Sequence, residues 1–257
     1  MTDVQEIISR ATLNGNILKL PDGQIDRKVY ESVAKTLGFI GGKWKGGKVA
    51  GFVFDTDPSE KIQIILDGGK VPNLKKEFQY FATPALVAHM LVQDANIGPM
   101  NRILEPEAGQ GAIVEIILKQ TMGMACTVDC YELMPENAEI LKKRIATDFK
   151  NRNVRFAGHD FLTDPIPEVR WDRIIANPPF ANNQDVDHVL KMYHHLADHG
   201  VLVAIMSPHW TFAQEKKCVE FRKWIEDVGA EVTELDAGLF KESSTNIKTV
   251  KVRIEKP

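Results

Sequence analysis

The chain has 257 residues, 44% hydrophobic and 26% charged, with a net charge of −3, which excludes a strongly basic nucleic-acid coat. The length suits one large α/β domain with a small appendage. No apolar run approaches the ~20 residues of a membrane span and residues 1–6 lack a basic-then-apolar leader, so the protein is expected in the cytoplasm and off the membrane.

Residues 1–76 are expected to form a small amino-terminal α+β domain, and residues 77–257 a larger one. Pro21-Asp22-Gly23 is a turn, Asp26 a helix cap, and Val29, Val33, Ala34 and Leu37 mark a helix face that ends at Gly38. A glycine-rich hairpin or loop, 41–48, then leads into a strand at 49–54. Residues 27–48 carry six basic side chains against one acidic. Within them, Lys43 and Lys45 flank Trp44, a grouping that meets phosphates with its cations and a base with its indole. The plainer alternative is that the lysines keep a turn soluble while Trp44 packs on the helix.

The second domain begins near Lys75-Lys76-Glu77. Thr83 is read as the cap and Pro84 as the first turn of a helix whose face is Ala85, Val87, Ala88, Leu91 and Val92. Strand 102–105 follows, then helix 113–120, strand 127–132, helix 135–149, strand 154–157, strand 171–176, helix 186–197, strand 201–206, helix 215–228 and closing strands 231–235 and 247–254. Such alternation predicts a doubly wound sheet, and its helix-poor end a terminal hairpin. Cys126 and Cys130 lie about 13 Å apart on one strand, too far for a disulfide, and read as small core residues.

Three places in this domain carry chemistry. The loop Glu105-Pro106-Glu107-Ala108-Gly109-Gln110-Gly111 joins a strand to a helix, and its glycines let the backbone approach a ligand ahead of the helix amino end. A dinucleotide would suit such a loop, but Val114 stands where that fingerprint needs a third glycine. Glu132, ending the next strand, is placed to grip two ribose hydroxyls with one carboxylate.

Asn177-Pro178-Pro179-Phe180 ends the apolar strand 171–176. Two prolines stop it abruptly, which sets four residues at the carboxyl end of a central strand, where open α/β sheets bind ligands. The stretch suits a planar exocyclic amine such as adenine N6, whose lone pair is delocalised into the ring. The Asn177 side-chain oxygen and the Pro178 carbonyl can each accept one amine hydrogen. Those bonds strengthen as the nitrogen pyramidalises, and Phe180 can stack on the ring.

This tetrapeptide resembles the catalytic motif of amino-methyltransferases that use S-adenosylmethionine, chiefly DNA adenine-N6 methyltransferases, with RNA and protein-glutamine relatives. The resemblance covers residues 78–254 and implies the seven-stranded class I methyltransferase (Rossmann-like) fold. It matches Glu105, Pro106, Ala108, Gly109 and Gly111 to the cofactor loop, Phe81 and Thr83 to the motif at the methionine end of the cofactor, and Asp160 to the acceptor for the adenine amine, with Phe161 beside that ring. Phe81–Pro84 precedes the glycine loop, which precedes Asn177, the order called gamma. Phe240 with Ser243-Ser244-Thr245 is similar to a late motif in which an aromatic helps to hold the target base, although Ser244 replaces the family's glycine.

The expected activity is therefore methyl transfer from S-adenosylmethionine to adenine N6 in DNA, with RNA adenine or a protein glutamine as alternative acceptors and a non-catalytic nucleic-acid-binding module as the rival from another class. Enzymes of gamma order usually carry a recognition domain after the final motif. Recognition here is expected instead from the amino-terminal domain, from loops 180–185 and 207–214, including Trp210, or from a partner, with loose specificity or a single-stranded substrate. No metal is expected: His195 and His199 are one helical turn apart, but the pattern reads as a solvated helix end before Gly200.

Overall fold

A computed structural model describes residues 2–69, 82–166, 168–243 and 248–257, and only the backbone of 241–243. Phe81, the Lys75–Glu77 junction, Ser244 and Thr245 lie outside the described residues. The chain divides into two compact units, Met1–Glu77 and Phe78–Pro257.

In the first unit, helix α1 (Asp3–Ser9) begins with a capping box between Thr2 and Gln5. Strands β1 (Thr12–Asn14) and β2 (Ile17–Lys19) form a hairpin, too short to declare itself by alternation. Helix α2 (Arg27–Phe39) starts where Asp26 Oδ1 accepts the N–H groups of Lys28 and Val29, and buries Val33 and Leu37, one turn apart. Strands β3 (Lys43–Lys45) and β4 (Gly51–Val53) complete an antiparallel sheet of order β1-β2-β4-β3, followed by helix α3 (Ser59–Leu66). Ile8, Leu18, Val33, Leu37, Phe52, Phe54 and Ile62 make its core. The lysine–tryptophan stretch is thus the edge strand of a hairpin with β4, the first of the two alternatives that the sequence offered.

Among the described residues, the second unit starts with helix α4 (Ala85–Asp94), then alternates β5 (Arg102–Glu105), α5 (Ala112–Gln120), β6 (Thr127–Tyr131), α6 (Pro135–Ala146), β7 (Val154–Gly158) and β8 (Trp171–Ala176). It continues through α7 (Gln184–His195), β9 (Leu196–Met206), the short α8 (His209–Phe212), α9 (Lys216–Asp227), β10 (Glu231–Leu235) and β11 (Thr249–Glu255). The seven strands run in the order β10-β11-β9-β8-β5-β6-β7. All neighbours are parallel except β11, which pairs antiparallel with both β9 and β10 and so makes the terminal hairpin.

Alternation along the central strands feeds two cores. Ile103, Ile175, Val201, Val203 and Ile205 face the α4–α5 side, while Leu104, Ile174, Ala176, Leu202, Ala204 and Met206 face α7 and α9. The chain adds strands on one side of β5, then returns with β8 on the other. Beyond the carboxyl ends of β5 and β8 therefore lies the topological switch point, the crevice in which such sheets hold ligands.

The boundary between α7 and β9 departs furthest from the sequence reading. Helix α7 stops at His195, because Leu196 is already extended, and β9 begins there. His199 has φ +60 and its N–H donates to the Lys256 carbonyl, so His195 and His199 do not share a helix. Among the described residues, no helix is long and apolar enough to cross a membrane.

Candidate active site

The loop after β5 is built by main-chain bonds. Ala108 N–H donates to the Tyr131 carbonyl at 2.8 Å, and Gly111 N–H to the Ala108 carbonyl at 2.7 Å. Gly109 (φ +55) and Gly111 (φ +87) occupy left-handed backbone. A Cβ on Gly111 would also press on Leu141 at 3.1 Å, so this glycine serves packing against α6 as well as the turn. Arg144 clamps the loop from α6, donating Nη1 to the Gln110 carbonyl and Nη2 to Glu115, both at 2.8 Å.

Three carboxylates converge here. Glu105 is 1% exposed; burial, then Glu107 and Glu132 nearby, pushes its carboxyl well above the usual range, and its Oε2 finds no hydrogen-bond partner among the described residues. Glu132 accepts Gly109 N–H at 2.7 Å on Oε2 and Met134 N–H at 2.8 Å on Oε1, so it ties β6 to the glycine loop. Burial lifts Glu132 despite those bonds. Beside it Leu133 is 48% exposed, an apolar surface at the mouth of the loop.

Glu107 leads to residues that no sequence motif singled out. Its Oε1 lies 2.5 Å from His188 Nδ1, and its Oε2 is buried without a partner among the described residues. Burial works against a charged His188, but the charge and hydrogen bond of Glu107, with Asp160 and Asp187, outweigh it and hold the ring above its ordinary range. His188 also stacks on Phe161 at 6.2 Å. Asp185, one helical turn earlier and 1% exposed, accepts Val186 N–H on Oδ1 and Ser207 N–H on Oδ2, joining the start of α7 to the loop after β9. A legible signal existed: Asp185 and His188 are polar residues at helical spacing on the stripe that contains Val186, Val189 and Met192.

Asn177 follows the last residue of β8. Its Nδ2 donates to Thr83 Oγ1 at 3.1 Å, joining the residue before α4 to the candidate catalytic strand. Thr83 is therefore not a helix cap, as its sequence position suggested. Pro84 occupies that place with no side-chain cap, and the Thr83 hydroxyl is spent on Asn177. With Nδ2 so used, Oδ1 is the acceptor that the amide offers. Pro178 is buried, Pro179 half-buried, and Phe180 packs its ring partly against the α4–α5 core.

Three expectations, for Trp210, Phe240 and Phe161, change in three dimensions. Trp210 is 3% exposed and packs edge-to-face on Phe221 at 5.0 Å, a core residue rather than a cleft wall. Phe240, also 3% exposed, lies in the α4–α5 core with Val203 and Ile205, so its ring offers no open face to a base. Phe161 is 1% exposed, its ring taken up by Tyr131 and His188. Asp160 caps its own turn, accepting Leu162 N–H at 2.9 Å and the Thr163 hydroxyl at 2.7 Å. Burial alone would raise its carboxyl, but these bonds, with the Thr163 N–H and His188, carry it below the usual range. Pro106 and Ala108 are buried within the loop. Lys43, Trp44 and Lys45 belong to the other unit, where β3 is exposed and Trp44 meets Phe52 edge-on at 5.2 Å.

No protein-family model matches the chain, and no curated protein sequence does. Solved structures do. The methyltransferase subunit of a type I restriction-modification system from Streptococcus thermophilus superposes with a TM-score of 0.61 at 19% identity, covering 68% of this chain and 45% of its own. A putative class I S-adenosylmethionine-dependent methyltransferase from Listeria monocytogenes gives 0.54 at 11% identity over 77% of this chain and 66% of its own. A putative RNA methyltransferase from Pyrococcus horikoshii gives 0.50 at 21% identity over 73% and 91%. The fold is the class I methyltransferase fold. At these identities the likeness is one of fold, and this chain spans less than half the length of the Streptococcus subunit. In that fold, the sequence-selected Glu105, Gly109, Glu132 and Asn177 lie at or just beyond the carboxyl ends of β5, β6 and β8, three neighbouring strands.

Proposed function

We propose that the protein is a methyltransferase that uses S-adenosylmethionine and acts on the exocyclic N6 amine of adenine in DNA. The observation that carries this reading is the Asn177–Thr83 hydrogen bond, which orients a primary amide at the switch point with its oxygen as acceptor.

The residues present fit the cofactor on one count above others. Glu105 Oε2 is a buried carboxyl oxygen at the end of β5 without a partner among the described residues, and a cationic ligand nearby would favour its ionised form. Glu132 and the Gly109 backbone would hold the ribose side, Leu133 would lie against the adenine, and Thr83 would border the methionine side. When bound, S-adenosylmethionine supplies an electrophilic sulfonium methyl group.

The protein's own part is to bind and orient the amine. Asn177 Oδ1 and the Pro178 carbonyl accept its two hydrogens, and both bonds strengthen as positive charge develops on nitrogen. Phe180 stacks on the target ring and fixes its direction. No strong base is needed, because the alkylated nitrogen is acidic enough to lose its proton to solvent. A duplex substrate must have the base flipped out, at a cost of a few kcal/mol. Lys43, Trp44 and Lys45 would engage the backbone and a base of a single strand.

The test is transfer of labelled methyl from S-adenosylmethionine to duplex DNA, single-stranded DNA and bulk RNA, with nucleoside analysis and Asn177→Ala as control. N6-methyladenine in DNA, absent with the variant, supports the reading. Label in RNA alone transfers it to RNA adenine, and binding of cofactor with no transfer to either nucleic acid overturns the substrate assignment.

A further inference from the structure

The segment between β9 and α9 contains a second group of chemically active side chains, apart from Asn177 and the glycine loop. His209, Glu215 and Cys218 each bring one ligand atom, and the three atoms lie within 4.8 Å of one another. His209 Nε2 and Glu215 Oε1 are 3.1 Å apart. We propose that these three residues form a binding site for a thiophilic divalent cation of the zinc class.

Local structure explains why residues separated in the sequence converge. Glu215 is the N-cap of α9 and Cys218 follows three residues later, so both project to one side of the first turn. Cys218 N–H donates to the Glu215 carbonyl at 2.9 Å, which fixes that turn. His209 comes from α8, and α8 is folded back on α9 by one cation: Arg222 Nη1 donates to the Trp210 carbonyl at 2.6 Å and to the Ala213 carbonyl at 2.7 Å. The edge-to-face pair of Trp210 and Phe221 packs the same two helices together. The hairpin is thus pre-set without a metal, and the sulfur sits on its buried side while His209 and Glu215 are half-exposed.

The donor set selects the ion. A tetrahedral zinc ion takes thiolate sulfur at about 2.3 Å and imidazole nitrogen or carboxylate oxygen at about 2.0–2.2 Å, which puts ligand atoms roughly 3–4 Å apart. Rotation of the two exposed side chains closes the remaining distance. A sulfur ligand disfavours magnesium and calcium. Burial, with Glu215 nearby, raises the Cys218 thiol, so the free site holds S–H. Binding forms a metal–thiolate bond and releases that proton to solvent, His209 gives its neutral Nε2, Glu215 one carboxylate oxygen, and water takes the fourth place.

Such an ion would pin the strap beside the candidate active site. His209 N–H donates to Ser207 Oγ, and Ser207 N–H to Asp185, which stands at the start of α7 just after the Asn177–Phe180 loop. The proposal does not depend on methyl transfer.

The experiment uses untagged full-length protein. Equilibrium dialysis with Zn2+ should give one ion per chain, and Co2+ should produce a near-ultraviolet thiolate-to-cobalt absorption band. Cys218→Ser should abolish that band. His209→Ala, at a half-exposed side chain, should weaken Zn2+ at least about tenfold. Excess Mg2+ should leave binding unchanged. No bound zinc, or zinc affinity unaltered in His209→Ala, overturns the site, as does a cobalt band that survives in Cys218→Ser, since the metal would then lie elsewhere.

Discussion

Asn177 and Thr83 are 94 positions apart in sequence, yet the amide nitrogen of one donates to the hydroxyl of the other at 3.1 Å. The Thr83 hydroxyl anchors one end of the Asn177 amide and leaves the other end to meet an incoming group. Asn177→Ala should lower turnover at least about 10²-fold while cofactor affinity, read by calorimetry, changes little. Thr83→Val, which keeps the shape and deletes the hydroxyl, should cut single-turnover methyl transfer about tenfold, and Thr83→Ser should restore most of it. A valine variant at full rate would remove the positioning role.

The Glu107–His188 pair joins the glycine loop to α7 with both side chains largely buried. Removing one partner strands the other's charge, so His188→Ala should cost about 3 kcal/mol in urea unfolding. A double-mutant cycle with Glu107→Gln should return a coupling above about 1 kcal/mol. Additive losses would mean that the two groups do not interact in solution.

Asp185 gives a pH dependence. Burial raises its carboxyl from 3.8 to about 6, against the opposing bonds from Ser207 and Val186 N–H groups. The folded protein thus keeps this proton to higher pH than the unfolded chain does. Stability from the group is fully present below 3.8 and is lost as pH rises through about 6, a loss of about 3 kcal/mol. Asp185→Asn has no proton to lose. Its unfolding free energy relative to wild type should therefore rise by about 2–3 kcal/mol between roughly pH 4 and pH 7. A difference that stays flat with pH would show that Asp185 ionises as an ordinary carboxyl.

Trp44 is 49% exposed, whereas Trp171 and Trp210 are buried and Trp224 half-buried. If β3 engages single strands, an oligonucleotide should quench tryptophan fluorescence, and Trp44→Phe should remove most of that quenching. Lys43→Ala with Lys45→Ala should weaken binding and lower the salt slope by about 1–2. Equal quenching in Trp44→Phe would place the contact elsewhere.

Much of the second unit was legible because buried parallel strands and amphipathic helices write long, regular patterns. Strands 102–105, 171–176 and 231–235 fall at their expected places, and the hairpin follows from the run of strands at the end. Boundaries failed where a local conformation overrode the pattern. Residues 196–200 carry no strand alternation, yet Leu196 pairs with Trp171 and His199 with Lys256, so the sheet claims them. Trp210 and Phe240 misled for a related reason: an aromatic beside a motif reads as a ligand platform, and only packing reveals that its face is already covered.

The sequence by itself determined the order of strands and helices, the glycine loop and the proline-ended strand with its asparagine, because backbone preferences and short motifs are local. Only the tertiary structure decided which polar groups meet. It spent the Thr83 hydroxyl on Asn177, set His188 against Glu107, used Asp185 to join α7 to the loop after β9 and folded His209 onto Glu215 and Cys218. Those pairings span from a few residues to 94, and no local rule encodes them. They arise because the switch point gathers the ends of β5 and β8, and because buried polar groups must find partners wherever the packed chain brings them.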